Sequence, residues 1–175
     1  MTRAYIVDQQ PVTKHRLPGT EEWVKQAAHH SDGALWNNGT WIVRDIKGKP
    51  GQISNHARGL AMDLSYRWIK PRNLGGTNGR KRSLDFINHC LQHWEQLGIQ
   101  LIIDYWPKDN GRSWRCDRAT WQKPLKPTFT GAPGGDWWHI EIHPQWGNDP
   151  GRVQKAFAAA FTTPATEPAK VETDN

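Results

Sequence analysis

The sequence predicts a single α+β domain in which helices flank a central, mainly antiparallel sheet. Segments 60–65 and 137–143 alternate apolar and polar residues with the period of a strand. Segment 84–97 instead repeats apolar residues with the period of a helix. The chain has 175 residues, which is enough for one hydrophobic core and too few for two domains of ordinary size.

Three helices are predicted from their caps and apolar stripes. The first is TEEWVKQAAHH, with Thr20 as its N-cap and an end by Gly33. Ser83 is expected to cap the second helix, which carries the apolar stripe and stops at Gly98. The third lies within NDPGRVQKAFAAAF, where a proline near the start is typical of a first helical turn.

The strands are predicted between and after these helices. The chain is expected to be β-like from 41 to 68, because TWIVRDIKG and GLAMDLSYRW both alternate. IQLIIDYW has the composition of a buried strand, whereas residues 106–135 lack a sustained period and are predicted to be mostly loop. DWWHIEIHP alternates again, and one face of that strand carries Trp137, His139, Glu141 and His143.

The predicted domain spans residues 1–161, and residues 162–175 are predicted to form a disordered tail or linker. The tail is polar and has no hydrophobic period. No segment has the apolar length of a signal peptide or a membrane span, so we expect cytoplasmic synthesis and no membrane insertion. Cys90 and Cys116 have no metal or redox spacing and are predicted to be free thiols.

The charge balance favours an anionic partner. The formal net charge is +6, which suits nucleic acid, an acidic membrane surface or a bacterial cell wall. No recognised nucleic-acid motif is present, so a nucleic-acid partner is not expected. Charge alone does not choose between the remaining partners.

The segment SNHARGLAMDLS contains a candidate metal site. His56 and Asp63 stand seven residues apart, and Gly59 between them can turn the chain so that the imidazole reaches the carboxylate. The small Ala61 leaves space beside the ligands, and His139 would come from a neighbouring strand. Three such ligands with one open position are typical of catalytic zinc. The alternative is that they are ordinary polar residues on strands.

Two motifs here resemble a known enzyme family. Residues 54–63 fit Ser-x-His-x-x-Gly-x-Ala-x-Asp, and residues 136–139 resemble the acidic-x-x-His element that follows it. The pair is similar to the D-Ala-D-Ala carboxypeptidase and L-alanyl-D-glutamate endopeptidase family of zinc peptidases, which is related to lysostaphin-type enzymes and the Hedgehog signalling domain. The motifs cover a small part of the chain, but their order and separation also agree with the family, and the Asp at position 136 is similar to that of its phage-type endopeptidases.

The resemblance implies a role for each polar residue of these motifs. It makes His56, Asp63 and His139 the ligands of one Zn²⁺ and Asp136 the general base, which takes a proton from water and returns it to the leaving amine. Many relatives have Glu at the position of Asp136. Glu141 is the rival base, although from its position it can equally support the metal ligands.

The resemblance also implies groups that bind substrate. Family members place an arginine upstream of the first histidine, and Arg44 is the candidate here, with a plain surface arginine as the alternative. Independently of the resemblance, Trp137 and Trp138 are expected to shape the substrate pocket because they lie beside the proposed base, with Trp138 as the candidate for substrate binding. Ser54 is a candidate for a supporting hydrogen bond.

The expected function is hydrolysis of an amide bond in peptidoglycan stem peptides by a zinc-dependent, endolysin-like enzyme. We expect a monomer that is made without a signal peptide and reaches the cell wall after release through the membrane. The alternatives are a cytoplasmic D-Ala-D-Ala dipeptidase and a non-enzymatic zinc-containing module that binds the wall. Asp136 argues against the module, because a structural zinc needs no free carboxylate beside it.

Overall fold

The computed structural model describes residues 1–108, 111–123 and 134–162. Its strands are β1 (Trp36–Gly39), β2 (Asp45–Ile46), β3 (Lys49–Ile53), β4 (Ala61–Ser65), β5 (Ile99–Asp104), β6 (Arg112–Arg115), β7 (Thr120–Gln122) and β8 (Trp137–Ile142). Its α-helices are α1 (Pro18–His30), α2 (Gly79–Gln92), α3 (Pro144–Asn148) and α4 (Pro150–Thr162). Short 3-10 helices lie at Val7–Gln9, Asn55–Arg58 and Lys70–Arg72.

The predicted α+β class is confirmed. Six strands form one sheet in the order β1-β4-β8-β5-β6-β7, and every neighbouring pair is antiparallel. β2 and β3 form a separate antiparallel hairpin. In the centre of the large sheet, Asp63 of β4 pairs directly with His139 of β8. Directly opposed residues hold their Cβ atoms about 5 Å apart, so this register brings two of the predicted ligands together.

The main core lies between one face of the large sheet and helices α1, α2 and α4. Met62 and Leu64 of β4 and Ile140 of β8 project into it, where they meet Trp23 of α1 and Phe157 of α4. All five side chains are fully buried, and each such burial contributes about 1.5–3 kcal/mol. Because side chains alternate along a strand, the residues between them project from the opposite face of the sheet.

Two helices begin earlier than predicted. α1 starts at Pro18, since proline suits the first helical position, and the hydroxyl of Thr20 instead donates to the carbonyl of Gly59 at 2.6 Å. α2 starts at Gly79, and Ser83 lies inside it, where its hydroxyl accepts a hydrogen bond from Trp138 Nε1 at 3.0 Å. Both hydroxyls that were predicted to cap helices therefore make tertiary contacts.

The predicted β region 41–68 is interrupted. Ile42 and Val43 lie outside the strands and are 50% and 55% exposed, so the alternation in this segment does not mark a buried strand. The region 106–135, predicted to be mostly loop, contains the short strands β6 and β7 in its described part. Helix α2 also ends at Gln92, before the predicted stop at Gly98.

The C-terminal helix and the cysteines follow the prediction closely. Helix α4 ends at Thr162, one residue beyond the predicted end of the domain, and the rest of the predicted tail lies outside the described residues. Cys90 and Cys116 are free and buried, as predicted. Among the described helices, none combines the length and the apolar character needed to cross a membrane.

A buried carboxylate joins three elements of the fold. Asp104, at the end of β5, has no exposed surface. Arg80 of α2 donates to its two oxygens at 2.8 and 2.7 Å, and Arg112 of β6 donates through Nε at 3.2 Å. The Arg80 guanidinium also lies 4.8 Å from the ring centroid of Trp138. Asp104 thereby ties α2 and β6 to the central sheet.

Replacing Asp104 with Asn should lower the free energy of unfolding by about 3 kcal/mol. This is the lower end for a buried ion pair, because both guanidinium groups remain partly accessible to water. Urea denaturation of the metal-free protein measures the change. Asp85→Asn, which breaks the exposed Lys81–Asp85 pair, is the matched control and should cost less than about 1 kcal/mol. Equal losses in the two variants would contradict the proposed role of Asp104.

Candidate metal centre

Three side chains converge on the face of the sheet opposite the main core. His56, Asp63 and His139 can each offer one ligand atom, and these atoms lie within 4.8 Å of one another. Asp63 Oδ1 lies 3.0 Å from His139 Nδ1, and Asp63 Oδ2 lies 3.4 Å from His56 Nε2. Two imidazole nitrogens and one carboxylate oxygen form a donor set that suits a divalent transition metal. The predicted grouping is therefore present, and it can hold a metal ion.

Local chain geometry places His56 beside Asp63. His56 lies in the 3-10 helix Asn55–Arg58, whose N-cap Ser54 accepts a hydrogen bond from the His56 backbone N–H. Gly59 ends that helix with φ of +70°, and a Cβ there would lie 2.7 Å from Leu17 Cγ. Glycine is thus needed both for the backbone angle and for the close approach of Leu17. Ser54 supports the site through the backbone of the ligand rather than through its imidazole.

Glu141 supports His139 from the same strand face. It is only 3% exposed, and its Oε1 lies 3.0 Å from His139 Nε2. Asn55 donates to the same oxygen at 2.9 Å, and the Tyr5 hydroxyl donates to Oε2 at 2.5 Å. Both oxygens of this carboxylate are therefore engaged.

The two carboxylates control the charge on His139. Burial by itself would lower the pKa of His139, but hydrogen bonds and charges from Asp63 and Glu141 raise it to about 10. Burial would likewise raise the pKa of Asp63, yet its hydrogen bonds with His139 and His56 bring it below the usual range. Glu141 follows the same pattern: burial would raise its pKa, but the hydrogen bond and charge of His139, together with the hydrogen bonds from Tyr5 and Asn55, lower it. Both carboxylates are thus ionised at neutral pH.

A cavity of about 440 Å³ opens in front of the ligand group. Residues of β4, β5 and β8 line it together with His56, and the β2–β3 hairpin contributes Ile46, Lys47 and Lys49. The walls combine aromatic side chains with a concentration of positive charge, and the residues that define this character are Tyr5, Tyr105, Trp137, Arg44, Lys47, Lys49 and Arg115. The lining also contains the carboxylates of Asp8, Asp63 and Glu141, and the Arg115 guanidinium pairs with Asp117, so the cavity combines charges of both signs with apolar surface.

Of the two residues predicted to bind substrate, Arg44 lies at the cavity and Trp138 lies in the main core. Arg44 lines the cavity, and its backbone carbonyl accepts a hydrogen bond from the Ser54 N–H at 3.0 Å. Trp138 has no exposed surface and belongs to the main core, so the prediction that it shapes the pocket is wrong. Trp137, which was also expected to shape the pocket, does line the cavity, because adjacent residues of a strand face opposite sides of the sheet.

Asp136 lies just before β8 and is not among the residues that line this cavity. Arg67 donates to both of its oxygens, from Nε at 2.6 Å and from Nη2 at 2.8 Å. This hydrogen bonding lowers the pKa of Asp136, so the carboxylate is ionised at neutral pH. The predicted base is therefore held in an ion pair, whereas the rival Glu141 lines the cavity.

Sequence reasoning missed Tyr5 and Asn55. Tyr5 is 136 residues from Glu141, and no local pattern in the N-terminal segment indicates that contact. Asn55 could have been predicted from the sequence as a supporting residue, because it directly precedes the first predicted ligand, His56, and its amide can hydrogen-bond a neighbouring polar group.

Gly59→Ala should destabilise the protein more than Gly48→Ala. Both glycines have left-handed backbone angles, which cost alanine about 1–2 kcal/mol. Only at Gly59 would the new Cβ also press on Leu17, since nothing lies within 4 Å of a Cβ at Gly48. Chemical denaturation of the two variants measures the difference. Equal free energies of unfolding would show that the Leu17 contact does not constrain the turn that carries His56.

The chain was compared with protein-family models, with curated proteins and with solved structures, and none of the three comparisons finds a match. The candidate metal centre is consequently defined by the geometry of His56, Asp63 and His139 within this chain. Any assignment of its chemistry depends on those ligands, on the cavity that they face and on the two sequence motifs that contain them.

Proposed function

We propose that the protein is a zinc-dependent peptidase that hydrolyses an amide bond in peptidoglycan stem peptides. The observation that carries the proposal is the group His56, Asp63 and His139 at the floor of a cavity. Catalytic zinc sites use three protein ligands and keep one position open, whereas structural sites are closed by four. The resemblance of both motifs to the D-Ala-D-Ala carboxypeptidase and L-alanyl-D-glutamate endopeptidase family supports the same assignment.

The proposed roles follow from the chemistry of amide hydrolysis. Zinc, when bound, lowers the pKa of a coordinated water to about 7 and polarises a carbonyl group. The carboxylate of Asp136 accepts the proton of the attacking water as the new C–O bond forms. It then delivers that proton to the amine nitrogen as the C–N bond breaks, which makes it acid after base.

This role requires Asp136 to turn from Arg67 toward the ligand group. The side chain of Asp136 is 35% exposed and that of Arg67 is 49% exposed, so neither is locked by packing. The hydrogen bonds from Arg67 lower the pKa of this carboxylate, and catalytic hydrogen bonds commonly tighten only in the substrate complex. Glu141 has both oxygens engaged by neighbouring donors, which suits support of His139 better than exchange of protons.

The cavity lining supports a peptide substrate that carries carboxylates. Arg44 and Lys47 place positive charge in the cavity lining, whereas the Arg115 guanidinium pairs with Asp117. Stem peptides carry free carboxylates, which guanidinium groups bind in paired hydrogen bonds. Tyr105 and Trp137 add flat apolar surface for the aliphatic parts of such a peptide. We assign Arg44 to substrate binding, as the resemblance implies.

Zinc-loaded protein should release new amino and carboxyl termini from purified peptidoglycan, and a chelator should abolish the release. Asp136→Asn should lower the turnover number at least about 100-fold, the usual contribution of general acid–base catalysis, while zinc content stays stoichiometric. Mass analysis of the fragments, with metal content measured in parallel, tests both statements. Asp85→Asn, the same change on an exposed pair, is the control and should retain full activity.

Two results would overturn this proposal in different ways. If the Asp136→Asn variant remains active and the zinc-loaded Glu141→Gln variant is inactive, the base is Glu141. If zinc-loaded wild-type protein releases nothing from several wall chemistries, the peptidase assignment fails. Assays on free D-Ala-D-Ala and a wall-binding assay would then distinguish the dipeptidase from the non-enzymatic module.

Zinc binding should become tighter as pH rises toward about 10. His139 has its pKa raised to about 10, so below that pH the metal must displace a proton from the imidazole. At pH 7.5, binding should release about one proton, and the apparent affinity should rise about tenfold per pH unit. Calorimetric titration with Zn²⁺ in buffers of different ionisation enthalpy counts the released protons. A binding enthalpy that does not depend on the buffer would contradict the protonated state of His139.

A further inference from the structure

We propose that Tyr5 and Asn55 act through Glu141 to hold His139 in the tautomer that presents Nδ1 to the metal. The N-terminal segment is then part of the metal centre, although it lies outside the strands of the sheet. This inference rests on the proposed metal site. Tyr5 and Asn55 are positioning residues, since neither lies among the three ligands.

The Arg58 guanidinium can only donate hydrogen bonds, and it therefore sets the direction of the hydrogen bonds among Asn55, Tyr5 and Glu141. Arg58 Nε donates to Asn55 Oδ1 at 2.9 Å, and a guanidinium cannot accept. The Asn55 amide must therefore present its NH₂ group on the other side. That group donates to Glu141 Oε1 and to the Tyr5 hydroxyl oxygen, each at 2.9 Å. The orientation of Asn55 thus follows from Arg58.

Tyr5 completes the set of donors around Glu141. Its oxygen accepts from Asn55, so its hydrogen is directed to Glu141 Oε2 at 2.5 Å. Burial and the charge of Glu141 raise the pKa of Tyr5 above its usual range, which keeps that hydrogen in place. With both neighbours donating, the Glu141 carboxylate has only acceptor positions for His139.

The tautomer of His139 follows from this arrangement. Its Nε2 lies 3.0 Å from Glu141 Oε1, and a carboxylate acceptor requires the hydrogen to be on Nε2. Nδ1 is then the nitrogen that gives its lone pair to a metal, and it lies 3.0 Å from Asp63 Oδ1. Carboxylates that hold the far nitrogen of a metal-bound histidine fix the ring and raise its basicity.

The N-terminal segment is held on the sheet by contacts other than the Tyr5 hydroxyl. The backbone N–H of Arg3 donates to Cys116 O at 2.9 Å, and that of Ile6 donates to Gln100 Oε1 at 3.0 Å. The Arg115 guanidinium lies 5.0 Å from the centroid of the Tyr5 ring. Removing the Tyr5 hydroxyl alone should therefore leave the segment in place.

The test compares zinc affinity in Tyr5→Phe, Glu141→Gln and the matched control Tyr66→Phe. Competition with a chromophoric chelator should show dissociation constants raised about tenfold for Tyr5→Phe and up to about 100-fold for Glu141→Gln. Tyr66 is also largely buried, but its hydroxyl contacts Gly135 and Arg80 rather than Glu141, so its variant should bind zinc like wild type.

A second readout separates positioning from general stability. In the zinc-loaded protein, imidazole ¹⁵N spectra should show a proton on Nε2 of His139, and its signal should shift in Tyr5→Phe but not in Tyr66→Phe. Urea denaturation of the metal-free variants should show similar losses for the two tyrosine variants. If Glu141→Gln does not fold, Asn55→Ser tests the same carboxylate and should also weaken zinc binding.

The outcomes distinguish this inference from the proposed function. If Tyr5→Phe binds zinc as tightly as wild type and its Nε2–H signal is unchanged, the inference is overturned and the metal centre stands. If wild-type protein binds no zinc, the metal centre and this inference both fail. If Tyr66→Phe weakens zinc binding as much as Tyr5→Phe does, the effect is structural and the inference is overturned.

Discussion

The antiparallel pairing of β4 with β8 is the constraint on which the rest of the molecule depends. Its register sets Asp63 opposite His139, and the alternation of side chains then divides each strand between two environments. Met62, Leu64 and Ile140 enter the core, while the ligands between them face the cavity. A slip of one residue would exchange these faces and bury the carboxylate among apolar helices. The same packing that stabilises the sheet therefore keeps the candidate metal ligands Asp63 and His139 together.

Placing ionisable groups on a largely buried sheet face is costly unless each finds a partner. Around Glu141 this cost of burial is offset by hydrogen bonds, because His139, Asn55 and Tyr5 all donate to the one carboxylate. The buried carboxylate of Asp104 is likewise paired, with the guanidinium groups of Arg80 and Arg112. The two networks have different roles. The Asp104 network ties secondary-structure elements together, whereas the Glu141 network orients His139, which can bind a metal.

The walls of the cavity come from the less regular parts of the chain. The β2–β3 hairpin lies outside the main sheet and carries Lys47, while Arg44 immediately precedes it. Tyr5 comes from the N-terminal segment and Arg115 from the short strand β6. A rigid sheet thus positions the ligands, and the surrounding segments supply the charge and aromatic surface that would select a substrate.

The amino-acid sequence by itself determined which residues can form the metal site and how the chain turns between them. His56, Gly59 and Asp63 are close in sequence, so backbone rules for glycine and strand alternation were sufficient to group them, and the spacing of a second alternating segment added His139.

Only the tertiary structure decided what surrounds that site. Asp136 pairs with Arg67, Trp138 enters the core, and Tyr5 reaches Glu141 across 136 positions of the chain. The physical reason is that these partners meet through the packing of distant segments. Local periodicity describes one strand or helix and contains no information about which segment will lie against it.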